Sequence, residues 1–292
     1  MSKLITVFGA TGTQGGSVIR AILADAVLSQ EFKIRAITRN VSKPAAQALQ
    51  KLGVEVKNVE KADMTSKSSL ASAISGSHSV FLVTTPSWDA SDPNAELVQG
   101  KNVADAAREA GHVSHFDQKA QVEQYIRATG VPCTFVLPGY YMENYIRFGM
   151  LRRDDEGVYT LVYPVGKEAK FPLLDGAEDM GKFVLAALKH PSKLLGARIL
   201  AATEYYTPPW IVAEFEEATG KRARYIQVDA QTYKSFLPPA MADVVLENQL
   251  LIEDPGYYAG EGLEESLELL GDVGFEPTTW REFLERNKDV FE

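Results

Sequence analysis

A single cysteine, Cys133, is all that the 292 residues contain. It has no partner in the chain for a disulfide, which fits a reducing compartment. With only four scattered histidines beside it, no ligand set for a structural zinc site exists and no metal is expected. No run approaches the ~18 apolar residues of a membrane-spanning helix. The N-terminus carries no apolar segment followed by a cleavage site. The expectation is a soluble, cytoplasmic protein without a membrane partner. Positive charge is also scarce, since 30 Lys plus Arg against 39 Asp plus Glu leave a formal charge of -9. An acidic chain lacks the field that gathers phosphate backbones, so direct nucleic-acid binding is not expected. Internal repeats and low-complexity tracts are absent. What remains is an ordinary globular balance, 45% hydrophobic and 24% charged, at a length suited to one large or two modest domains.

Short β-rich runs alternate with helical stretches through the first half. Leu4–Phe8 is a continuous apolar run, the pattern of a strand buried on both faces. Strands are expected over Lys33–Thr38, Val54–Val59, Ser79–Thr84 and Cys133–Leu137. Between them, helices are expected over Ser17–Leu28, Pro44–Leu52, Lys67–Ile74, Ala95–Ala110 and Gln118–Thr129. Strands separated by helices of this length imply βαβ units. The fold class is therefore α/β, a Rossmann-type doubly wound parallel sheet with helices on both faces. The second half is less regular, with helices over Met180–Leu188, Pro208–Thr219, Ala240–Leu246 and Thr279–Lys288 and strands over Ala197–Ala202 and Tyr225–Val228. It reads as a smaller α+β C-terminal lobe. Residues 1–145, with contributions from about 176–206, form the expected dinucleotide-binding domain, and 146–292 a smaller lobe for a substrate or partner.

Gly9-Ala10-Thr11-Gly12-Thr13-Gln14-Gly15 follows the first strand and opens the first helix. The G-x-x-G-x-x-G spacing is a variant of the dinucleotide fingerprint: a tight turn at Gly9, close backbone approach to a pyrophosphate at Gly12, and close packing of helix on strand at Gly15. The helix N-terminus behind it is an anion site. A purely structural glycine turn is the bland alternative, but the strand–turn–helix context favours a dinucleotide. The end of the second strand selects which one. An NAD site places a carboxylate there for the ribose 2′-OH, and an NADP site places a basic residue for the 2′-phosphate. Here stand Thr38-Arg39-Asn40, with Lys43 nearby and no carboxylate between Lys33 and Lys43. The cofactor expected is NADP(H), with Arg39 gripping the phosphate and stacking on adenine. Asp63 either accepts from the adenine amino group or caps the helix that follows.

With these residues in hand, the chain resembles the NmrA-like family, an atypical branch of the short-chain dehydrogenases, over nearly its whole length. The resemblance rests on Val7-Phe8-Gly9-Ala10-Thr11-Gly12, Thr38-Arg39-Asn40, Val83-Thr84-Thr85, Phe116-Asp117-Gln118-Lys119, Leu137-Pro138-Gly139 and Tyr141-Met142-Glu143-Asn144. It implies a Rossmann domain for NADP(H), a small second lobe, and often a regulatory role as an NADPH sensor in the cytoplasm or nucleus. It also implies that Thr84, Thr85 and Pro86 border the ribose and nicotinamide, and that Tyr141 and Asn144 flank the nicotinamide end.

A short-chain dehydrogenase uses Tyr-x-x-x-Lys, in which the lysine lowers the tyrosine pKa and holds the ribose. The candidate lysine is Lys119, and His115 rather than a tyrosine stands four residues before it. One helical turn would bring the two together, and an imidazole suits proton exchange near neutrality. The plainer reading makes His115 a helix-entry residue and Lys119 a ribose ligand. Tyr140, Tyr141 or Tyr145 would supply a phenol from elsewhere, with Tyr141 the catalytic candidate, or simply pack the lobe. Between Ala110 and Phe116 there are only five residues, where the family carries a fifth strand, a serine and a loop. Either a central strand is lacking or the sequence omits a segment. Omission is favoured, because removing an internal strand leaves its neighbours' backbone unpaired.

Two functions compete. One is a redox-sensing regulator, concerned with transcription and acting through a protein partner. The other is an NADPH-dependent oxidoreductase reducing a small carbonyl or enone substrate. The protein is expected to be a monomer or homodimer.

Overall fold

Apolar runs too short for helices and bounded by glycine or polar turns become strands. The computed structural model describes residues 2–58, 64, 66–84, 94–110, 113–116 and 120–291. In chain order the first elements are β1 (Lys3–Val7), α1 (Thr13–Ala24), the one-turn α2 (Leu28–Glu31), β2 (Phe32–Thr38), α3 (Pro44–Lys51) and β3 (Glu55–Asn58). Next come α4 (Lys67–Ile74), β4 (Ser79–Leu82), α5 (Ala95–Ala110), β5 (Val113–Phe116), α6 (Ala120–Thr129) and β6 (Cys133–Pro138). The chain divides into two compact units. The first is built from Met1–Ser87, Ser91–Leu137 and Ala177–Ile199, and the second chiefly from Pro138–Gly176 and Leu200–Glu292.

In the first unit a seven-stranded sheet runs in the order Arg198–Ala201, β6, β5, β4, β1, β2, β3. β1 lies between β2 and β4 and is parallel to both, with Ile5 opposite Ile34 on one side and Ser79 on the other. Burial on both faces explains its unbroken apolar character, and even Thr6 is buried, its hydroxyl 2.6 Å from that of Ser77. The order 3-2-1-4-5-6 is that of the Rossmann-type doubly wound α/β sheet. It reverses direction between β1 and β4, the point where such sheets bind ligands at the carboxyl ends of their strands. Helix α1 packs on the helix Met180–Lys189, and the contact is close because Gly181 has no side chain. Its backbone N–H donates to Ser17 Oγ at 2.9 Å, and a Cβ there would collide with the Ser17 carbonyl. Helices α4, α5 and α6 form another layer over Phe8, Val80, Leu82 and Phe135.

The central strand once missing from the sequence reading is present. β5 pairs in parallel with β4 (Val80 opposite Ser114) and with β6 (Ser114 opposite Cys133). Four residues suffice because their neighbours β4 and β6 are themselves short. The expectation that the residues between Ala110 and Phe116 are too few for a strand is corrected. His115 lies in this strand, so the expectation that it is a helix-entry residue one turn from Lys119 is corrected.

The second unit has two three-stranded sheets. One is ordered Glu204–Tyr206, Phe171–Leu174, Tyr140–Tyr141, and the other Ala223–Gln227, Tyr159–Tyr163, Leu151–Arg153. Tyr145, Tyr163, Phe171, Phe215 and Trp280 fill its core. The helix Pro208–Thr219 begins with prolines, is capped by the Thr207 side chain and stops at Gly220 in a left-handed conformation. Thr279 and Glu282 form a reciprocal capping box on the helix Trp280–Asn287.

Candidate functional site

The turn after β1 follows from its glycines. Gly9 has φ +64°, a left-handed conformation that glycine adopts without steric cost, and its carbonyl accepts from Gly12 N–H at 2.9 Å. Gly15 is buried where the first turn of α1 crosses this carbonyl, and any side chain on it would collide with the Gly9 backbone. Gly12 is the N-cap of α1 with extended φ/ψ, yet no side chain caps the helix and no acidic residue sits in its first turn. Thr11, Gly12 and Thr13 are exposed and Ala10 is buried. The result is a backbone turn with exposed N–H groups at the positive end of a 12-residue helix. Phe8 N–H bonds the Phe81 carbonyl at 2.9 Å, and a Cβ on Gly9 would touch Val83 at 3.5 Å. The turn thus lies over the switch point between β1 and β4.

A second group of residues stands at the end of β2. The Asn40 N–H lies 3.3 Å from Thr38 Oγ1, and Asn40 Oδ1 accepts from Ser42 N–H at 2.8 Å. Asn40 therefore holds the loop in shape, while Lys43 is the N-cap residue before Pro44. Arg39 and Lys43 are both exposed, and among the described residues no carboxylate pairs with either. A guanidinium held by a shaped loop, with no acidic neighbour to neutralise it, is suited to an anion from solvent. At the end of β4, Thr84 donates to Glu96 Oε1 at 3.1 Å. Glu96 was not singled out from the sequence. Its place in the first turn of α5, where a carboxylate favours the helix dipole, is the signal for it.

The first unit thus brings together Gly9, Ala10, Thr11, Gly12, Thr13, Gln14 and Gly15 on one turn, with Arg39, Asn40, Lys43 and Thr84 on loops at the same ends of the parallel strands. Asp63, Thr85, Pro86 and Lys119 lie outside the described residues, and of His115 only the backbone is described.

Tyr141 and Asn144 belong to the second unit. Tyr141 pairs with Leu174 in a two-residue strand, and its ring fills the space a side chain on Gly176 would occupy. Asn144 lies in the short helix Glu143–Arg147. The neighbouring phenols form a cluster in which Tyr145 and Tyr163 are buried and Tyr140 is partly buried. Tyr163 donates to Tyr145 at 3.1 Å, and Gln249 Nε2 donates to Tyr140 at 3.2 Å. Burial raises the pKa of Tyr140, Tyr145 and Tyr163 above the usual phenol value. Tyr145 and Tyr163 belong to the core of the unit, and Tyr140 packs against it. Cys133 is buried and burial pushes its thiol up to about 11, the behaviour of a core residue. Among the described residues no helix is long and apolar enough to cross a membrane.

Comparison with known proteins adds the following. The NmrA-like family model matches residues 1–116 and 111–284, so residues 111–116 fall in both matches. The NmrA-like family domain-containing oxidoreductase cpsB of Aspergillus campestris is 34% identical over 262 residues, covering 77% of this chain and 75% of its own. The NmrA-like family domain-containing oxidoreductase ptmS of Penicillium ochrochloron is 32% identical, with 80% and 78% covered. Among solved structures, NmrA, a negative transcriptional regulator in complex with NADP, superposes with a TM-score of 0.77 at 23% identity, covering 99% of this chain and 96% of its own. At that identity the likeness speaks for the fold alone.

Proposed function

The chain belongs to the NmrA-like family, and on that premise we propose that it binds NADP(H) and works as an NADP(H)-dependent oxidoreductase. The observation that carries the reading is the uncapped, glycine-lined start of α1 at the switch point, together with an exposed Arg39 that no described carboxylate neutralises. These residues fit the group. A pyrophosphate would sit on the N–H groups of the Gly9–Gly15 turn. Arg39, with Lys43 and Asn40, would take the ribose 2′-phosphate, which the absence of an acidic residue there leaves unopposed. Thr84, Thr85, Pro86 and Lys119 would hold the ribose and nicotinamide end, and Tyr141 and Asn144 are proposed to flank it. Bound NADPH would supply the reducing equivalent to a small carbonyl or enone. The cpsB and ptmS relatives are both named oxidoreductases, which supports this over a purely regulatory role.

One observation favours the second reading, a redox-sensing regulator that signals to a protein partner. His115, a residue of strand β5, stands where the usual tyrosine would precede Lys119. Calorimetric titration with NADPH, NADP, NADH and NAD in parallel tests the common premise, with the phosphorylated pair expected to bind more tightly. Equal affinity for all four, or none, overturns it. A substrate-dependent fall in nicotinamide absorbance that disappears in Lys119→Ala identifies the oxidoreductase. A difference in affinity between NADPH and NADP without turnover identifies the sensor.

A further inference from the structure

The helix Ala242–Leu251 is built inside out. Its two buried positions are Ala242 and Gln249, while Val244, Leu250 and Leu251 stand 60%, 40% and 51% exposed. A surface helix ordinarily turns aliphatic side chains inward and amides outward. Gln249 is only 5% exposed, and its Nε2 donates to Tyr140 Oη at 3.2 Å. The carbonyl oxygen of the same amide is buried and accepts no hydrogen bond. Exchanging oxygen and nitrogen does not cure this, because the oxygen would then accept from Tyr140 and strand the NH2 group. Buried amide atoms are nearly always partnered, so an unmet acceptor here calls for a donor from elsewhere.

The surroundings are aromatic. Tyr140 lies edge-on to Phe171 at 5.3 Å, and Tyr163 stacks on Phe171 at 4.7 Å. The Tyr140 hydroxyl reaches Met150 Sδ at 3.5 Å, a weak acceptor. Val245 and Leu246 pack on this core only in part. An element so lightly anchored opens at lower cost than one with a full apolar face.

We propose that Gln249 is the recognition point of a small-molecule site under this helix, for an aromatic ligand carrying one hydrogen-bond donor, a hydroxyl or N–H. The Gln249 oxygen accepts from the ligand, the rings of Tyr140, Tyr163 and Phe171 contact its apolar body, and the Tyr140 hydroxyl holds the amide in position. A carboxylate or phosphate group is disfavoured, because the unmet atom is an acceptor. The inference goes beyond nucleotide binding and does not rest on it, since every residue involved lies in the second unit.

The test is calorimetric titration with 2-naphthol and with 2-methoxynaphthalene, a probe of like shape without the donor, in the absence of nucleotide and again with NADPH. Wild type is expected to bind 2-naphthol roughly tenfold more tightly, the effect of one hydrogen bond to a buried partner. In Gln249→Leu that discrimination is expected to vanish. Tyr140→Phe, which keeps the ring and frees the amide, is expected to reduce it, and reads the same contrast if Gln249→Leu does not fold. Equal affinity of wild type for the two probes overturns the proposal. So does discrimination that survives in Gln249→Leu, or binding of neither probe, in which case the amide holds a buried water. A failure of NADPH to bind would overturn the nucleotide reading and leave this one standing.

Discussion

At the scale of single residues, the proposed nucleotide preference rests on charge. Arg39 is exposed and has no described acidic partner, so replacing it alters the encounter with a phosphate without disturbing the fold. Arg39→Glu puts a carboxylate where a 2′-phosphate would sit. Charge-assisted hydrogen bonds of this kind are worth about 1.5–3 kcal/mol. NADPH affinity should fall by about 100-fold while NADH affinity stays level or rises, as read by calorimetry. A parallel loss for both nucleotides would show that Arg39 supports the loop rather than reads the phosphate. Cys133 yields a second outcome. Burial moves its thiol from 9.0 to about 11, with Arg127 pulling it down and Glu123 pushing it up. At pH 8 the thiolate is then about one part in a thousand, so iodoacetamide should label the folded protein hardly at all and the guanidinium-unfolded protein fully. Because the folded value is the higher one, the stability it contributes is complete below pH 9 and is lost as pH rises toward 11. Brisk labelling of the native protein at pH 8 would contradict the buried placement.

At the scale of elements, the first unit was legible because each piece carries its own signal. An apolar run makes β1, three spaced glycines make the turn, and the loop after β2 carries Arg39 and Lys43 with no acidic residue between Lys33 and Lys43. What the sequence concealed was pairing. The strand Tyr159–Tyr163 has a clean alternation of buried and half-buried residues, yet it is only five residues long and its partner Ala223–Gln227 lies some 60 residues away. Leu151–Arg153, Phe171–Leu174 and Glu204–Tyr206 are shorter still, so periodicity had too few residues to register. The inside-out helix Ala242–Leu251 shows no amphipathic pattern, and Gln249 offered nothing to single it out. β5 was misjudged because five residues between Ala110 and Phe116 looked too few for a strand with its connections. Its existence has a sharp test. Ser114 is flanked by Val80 on β4 and by Cys133 on β6, so its N–H belongs to a ladder on one side or the other. Ser114→Pro removes that donor from a central strand and should cost ~3 kcal/mol or more, seen as loss of the cooperative thermal transition. Ser114→Thr should melt as wild type does. If Ser114→Pro melts like wild type, Val113–Phe116 is no strand.

At the scale of the whole molecule, the chain has two units, each with a core of its own. The first offers backbone N–H groups and an arginine at the ends of parallel strands, and the second offers an aromatic interior with one unmet amide oxygen. Family membership ties the chain to relatives named oxidoreductases, and the sensing reading is a proposal that needs its own test. The location of the nucleotide response supplies that test. A ligand that binds only the native state stabilises it by about 2.7 kcal/mol at a hundred times its Kd, and the backbone groups it touches gain protection from exchange. With saturating NADPH, amide exchange should slow most at residues 9–16 and 38–43. The helix Pro208–Thr219, capped by its own Thr207 and Gly220, should change least if the protein is simply an enzyme awaiting substrate. A sensor must carry the redox state to a surface that a partner reads. In that case NADPH and NADP would give different protection in second-unit peptides such as those spanning 140–147 or 242–251. Identical patterns for the two nucleotides, confined to the first unit, would exclude signalling by conformational change and leave the oxidoreductase.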